Sequence, residues 1–112
     1  MSATEETSLQ CTLKEENFTA VASLHSGGRR RVTVTGRLTC PSTDFRLRLE
    51  PENPGINPQP NELVLKVVEE EPTGTVLPVL TETEVSDYFP VSPEVDTVVI
   101  RNLGISIPVK DR

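Results

Sequence analysis

The sequence predicts an all-β fold: a single antiparallel β-sandwich of immunoglobulin-like architecture with about seven short strands, or alternatively a small β-barrel. Three observations carry this expectation. Apolar and polar residues alternate with period two along most of the chain, whereas no window repeats apolar residues at helical spacing. Fourteen valines supply the branched side chains that suit a pleated, half-buried surface. Ten prolines and a Gly-Gly pair break the runs into short pieces. An antibody-type domain would also bury a tryptophan beside its disulfide. This chain has no tryptophan, so the immunoglobulin likeness extends to architecture alone.

The elements follow in order. Residues 1–8 are polar and acidic and read as a flexible tail, leaving residues 9–112 as one β-sandwich domain. Leu9, Cys11 and Leu13 alternate as a short edge strand. Phe18, Ala20, Ala22 and Leu24 share one face of the next strand. His25-Ser26-Gly27-Gly28 is a turn, and Val32, Val34, Leu38 and Cys40 line the inner face of the strand that returns, which makes a hairpin. Phe45, Leu47 and Leu49 alternate with Arg46, Arg48 and Glu50. The segment PENPGINPQP from Pro51 to Pro60 reads as a stiff loop rather than a linker. Leu63, Leu65 and Val67 form another inward set. Val76–Leu80 contains Pro78 and reads as an edge strand or an extended crossover. Residues 81–93 have a mixed pattern, and the pair Tyr88-Phe89 is expected to line the core. Thr97–Ile100 is a β-branched run. Ile105, Ile107 and Val109 alternate around Pro108, which suggests a terminal edge strand.

The charge balance narrows the function. The net charge is −6, which disfavours nucleic acid as a partner because phosphate contacts need a basic field. No apolar run approaches membrane-spanning length, and the opening MSATEETSLQ has neither the basic nor the apolar stretch of a secretory leader, so no membrane partner is expected. The charges are segregated along the chain. Arg29, Arg30, Arg31, Arg37, Arg46 and Arg48 fall in a stretch with one acid, Asp44. The stretch from Glu50 to Asp96 holds one base, Lys66, among its many carboxylates. Neighbouring strands that neutralise one another would explain this, and so would a bipolar surface with an anion-binding patch.

Catalytic chemistry is thinly supplied. One histidine, His25, excludes a two-histidine copper site and stands beside a turn where a solvated side chain is expected. No nucleophile elbow and no phosphate-binding glycine loop followed by a helix are present. Glu69-Glu70-Glu71 and Glu82, Glu84 and Asp87 could serve as acid and base only if two of them faced each other across a cleft. No cofactor and no metal site are expected. Cys11 and Cys40 could be bridged, and spacing alone does not decide this or the compartment.

The expected function is therefore a non-enzymatic β-sandwich interaction or structural module that binds a protein partner. The alternative is an extracytoplasmic module for a glycan or calcium. The candidate partner-binding residues are Arg29, Arg30 and Arg31 at the hairpin tip, Arg46 and Arg48, and Ile56 and Asn57 in the proline-rich loop. A monomer is expected, or a weak homodimer through an edge strand such as Val76–Leu80 or Ile105–Val109.

Overall fold

The structure is a computed structural model, and it describes residues 9–13, 17–52 and 61–111. Seven strands form: β1 (Thr19–His25), β2 (Arg29–Cys40), β3 (Arg46–Pro51), β4 (Glu62–Glu70), β5 (Thr81–Val91), β6 (Thr97–Ile100) and β7 (Ile105–Asp111). They lie in one sheet in the order β3-β4-β6-β7-β1-β2-β5. The all-β expectation holds, and the small-barrel alternative describes the arrangement. The sheet curls until its two edges, β3 and β5, approach each other. Asp87 Oδ2 on β5 accepts the Leu49 N–H of β3 at 2.9 Å across that seam.

Alternation builds the core. In β2, Val32, Val34, Leu38 and Cys40 are buried. Ala20 and Ala22 on β1, Leu65 and Val67 on β4, Val85 and Phe89 on β5, Val98 and Ile100 on β6, and Ile105 and Ile107 on β7 complete the inner surface. Residues Ser26–Gly28 join β1 to β2, and Gly27 and Gly28 both take positive φ, 82° and 75°. That conformation is strained for any residue with a Cβ and explains the glycine pair.

Two expectations are corrected. The sheet is not wholly antiparallel, because β1 pairs with β7 and β4 with β6 in parallel. Alternation reports which face a residue occupies and is silent on the direction of the neighbouring strand. Ile105–Val109 is also not an edge. It lies within β7, which pairs with β6 on one side and, from Val109 onward, with β1 on the other. Val109 N–H bonds Asp96 O at 2.9 Å. By alternation, the position where Pro108 lacks an N–H faces the β1 side, just before that ladder begins. Proline is tolerated here at a change of partner.

Residues 81–93, which had shown only a mixed pattern, contain β5. It pairs with β2 over Arg30–Cys40. Its inward positions include Thr81, Thr83 and Asp87, so its apolar signal is weak. Val76–Leu80 forms no strand but an extended crossover tied to Thr43 by two hydrogen bonds, Thr43 N to Leu77 O and Leu77 N to Thr43 Oγ1.

Side chains extend pairing where the backbone departs. The β4–β6 ladder runs from Glu62↔Thr97 to Leu65↔Ile100, and the same register would set residue 102 opposite Val67. The backbone turns away at Ile100, yet the Asn102 amide accepts from Val67 N at 3.0 Å and donates to Val67 O at 2.9 Å. Both backbone groups of β4 are thereby satisfied.

Cys11 and Cys40 are joined by a disulfide. Their placement follows from the ladder. Thr12 and Thr39 exchange both backbone hydrogen bonds at 2.8 Å. The next pair along, Cys11 and Cys40, is then a non-hydrogen-bonded pair, the kind with the closer Cα atoms. Their Cα–Cα distance is 4.0 Å. Glu69 on β4 also holds this segment, accepting from the N–H groups of Gln10 and Cys11.

Candidate functional site

The hairpin of β1 and β2 places its arginines in three different settings. Arg30 lies on the inward face of β2, opposite Leu24 on β1 and Val91 on β5. Its side chain is only 14% exposed. Its guanidinium donates to Val95 O at 2.6 Å and Ser92 O at 3.4 Å, and it meets Asp111 Oδ1 at 3.1 Å. Arg30 therefore ties the β5–β6 loop and the end of β7 to the hairpin. These contacts hold the fold, and Arg30 also lines the cavity described below. Alternation with Val32 and Val34 was the signal that sets Arg30 on the inward face; the carbonyls that receive it come from a distant loop and were not visible in the sequence.

Arg29 is exposed at the turn, and Arg31 lies on the outer face beside Pro90. The Arg31 guanidinium stacks over the Tyr88 ring at 4.3 Å from its centroid. Among the described residues neither arginine has a carboxylate within ion-pair distance. Tyr88 is 60% exposed whereas its neighbour Phe89 is buried. The expectation that both aromatics line the core thus holds for one of them, since adjacent residues on a strand face opposite ways.

A shallow cavity of about 390 Å³ opens between the hairpin and the β5–β6 loop, walled by Leu24, Gly28, Arg29, Arg30, Pro90, Val91, Ser92 and Pro93. Leu24 follows the inward periodicity of β1 yet is 72% exposed. It sits one residue before the end of the ladder, beyond the closed part of the barrel, so nothing covers it. Leu24, Tyr88 and Pro90 are the members of this site that sequence reasoning missed. The only signal for Leu24 was its position at the turn-proximal end of an apolar run.

The other candidates lie elsewhere. Arg48 on β3 makes ion pairs with Glu50 at 2.9 Å and Glu70 at 3.1 Å. The hydrogen bond to Glu50, chiefly, raises its pKa further above the ordinary arginine value. Arg46 is exposed and borders a polar cavity of about 680 Å³ with Asp44, Glu70, Glu71 and Thr73. The two do not join the hairpin end. Ile56 and Asn57 lie outside the described residues. The segregated charges meet across strands, as one of the two explanations required. Arg37 lies opposite Glu84 and pairs with Glu82 at 4.0 Å, and Arg46 lies opposite Glu70.

The acidic clusters serve local ends. Glu69 and Asp87 accept backbone N–H groups, while Glu70 and Glu82 meet arginines. Among the described residues no three His, Cys, Asp or Glu side chains converge as a metal site, and no helix is long and apolar enough to cross a membrane. Among the described residues Asp96 is the carboxylate with a clear shift. The Asn61 amide donates to it at 2.9 Å and the Thr97 hydroxyl at 2.8 Å, and together they hold its pKa below the ordinary value. No family model, no curated protein and no solved structure matches the chain.

Proposed function

We propose that this protein is a non-enzymatic interaction module that docks a protein partner on the hairpin end of its barrel. The observation that supports this reading is the grouping at that end of Leu24 and Arg29, which line an apolar cavity, with Arg31 and Tyr88 on the adjoining outer face. Tyrosine and arginine are enriched among residues that dominate binding energy, and exposed leucine adds apolar area. The cavity is pre-formed, because Arg30 pins the loop that makes one wall and Pro93 stiffens it. Less ordering is then lost on binding.

Site-specific photocrosslinking tests the reading. A benzophenone amino acid at Leu24 should give a discrete adduct in lysate of the native source, and the same group at Val79, another exposed apolar position, should not. No adduct at Leu24, or an adduct at Val79 alone, would refute docking at the hairpin end.

A further inference from the structure

We infer that the hairpin end selects an acidic peptide segment carrying an apolar side chain between its carboxylates, an inference that rests on the docking reading above. The apolar walls of Leu24, Pro90, Val91 and Pro93 would take an aliphatic side chain. Arg29 stands on the cavity rim, and Arg31 lies opposite Pro90 on the adjoining outer face. The Arg31 guanidinium lies over the Tyr88 ring, 4.3 Å from its centroid, and has no carboxylate partner among the described residues. Its fork of N–H groups matches a carboxylate, which accepts paired N–H bonds.

Charge complementarity decides the sign. Most other arginines among the described residues meet acids: Arg30 with Asp111, Arg37 with Glu82, Arg48 with Glu50 and Glu70, and Arg101 with Glu52. Arg29 and Arg31 do not, and Arg29 borders the apolar cavity while Arg31 stands on the adjoining outer face. Arg46 shares that condition but borders a polar cavity instead. The nearby Asp111 is engaged by Arg30, and Glu94 is exposed on the neighbouring loop. The chain's net charge of −6 opposes an acidic ligand at long range. Screening limits that opposition, since charges beyond roughly 8 Å are largely masked at physiological salt. The two arginines then dominate at contact.

The test is fluorescence anisotropy of a labelled Glu-Glu-Leu-Glu-Glu peptide with the full chain, alongside Glu-Glu-Ser-Glu-Glu and Lys-Lys-Leu-Lys-Lys. The acidic leucine peptide should bind, the serine version should bind about fivefold more weakly, and the basic peptide should not bind. The double variant R29E/R31E should weaken binding by at least about tenfold at physiological salt, where the long-range repulsion is masked. R37E/R46E carries the same charge change on other surfaces and should leave binding intact, and circular dichroism would confirm that both variants fold. Absence of binding by the acidic leucine peptide, or equal binding by R29E/R31E, would overturn the inference. A Leu24 crosslink that forms unchanged in R29E/R31E would overturn it too while leaving the docking reading standing. Loss of the Leu24 adduct from the wild-type chain would remove both.

Discussion

Gly36 stands at the middle of β2 with the Phe18 ring packed directly on it. A Cβ built there would meet ring atoms, including Cδ1 at 2.5 Å, well inside van der Waals contact. Phe18 is 8% exposed and belongs to the core, and Asn17 beside it accepts the Arg37 N–H at 2.9 Å. The ring therefore lies over a glycine that sheet propensity would otherwise disfavour. Gly36→Ala should expel it. Exposing a phenylalanine side chain costs about 3 kcal/mol. Removing a mid-strand glycine returns about 0.5–1 kcal/mol of that. The net loss is about 2 kcal/mol. Phe18→Ala alone should cost about 3–4 kcal/mol through the lost ring and the void. In that background the clash is gone, and Gly36→Ala should be neutral or slightly stabilising. The double variant should thus lose about 3 kcal/mol, some 2–3 kcal/mol less than the sum of the singles. Urea unfolding of the four chains measures the cycle. Additivity within about 0.5 kcal/mol would refute the idea that Gly36 is there to receive the Phe18 ring.

Three further outcomes are expected. Replacing both Cys11 and Cys40 by alanine should cost about 3.5 kcal/mol, because the bridge closes a loop with a sequence separation of 29; urea titration with and without reductant measures it, and wild type should fall to the variant's level only when reduced. Arg30→Ala should cost about 1–3 kcal/mol by unpairing the Ser92 and Val95 carbonyls, whereas Arg29→Ala should change stability by less than about 0.5 kcal/mol, so equal losses in thermal melts would contradict the separation of roles. Asp96 is stabilised as the carboxylate, with its folded pKa below its unfolded value near 3.8. Its contribution is therefore complete above that value and disappears as pH falls through the lower folded one. Stability of Asp96→Asn measured from about pH 5 to about pH 2 should fall less steeply than wild type, and parallel curves would count against this.

What alternation could reveal, it revealed. The inner positions of β1, β2, β4 and β7 were legible because the face a strand residue occupies is set by its immediate neighbours. β5 was obscure for the same reason, since polar Thr81, Thr83 and Asp87 hold positions that face inward. The pairing of the basic with the acidic stretches was visible as one alternative, and the ladders β2–β5 and β3–β4 realise it. Of the hairpin end, Arg29 and Arg31 could be named in advance, but Leu24, Tyr88 and Pro90 could not.

The sequence by itself determined that the chain is all-β, where its turns fall and which residues have a buried side, all consequences of short-range sterics and of burying apolar area. Only the tertiary structure decided which strands are neighbours and in which direction they run. Those choices depend on loop closure and on how a twisted sheet wraps onto its own edges. Alternation sets Arg30 on the inward face and Arg31 on the outer one. Only the tertiary structure brings the Ser92 and Val95 carbonyls of the β5–β6 loop to Arg30 and leaves Arg29 on the rim of the cavity with Leu24, where the β1–β2 ladder continues past the end of β7.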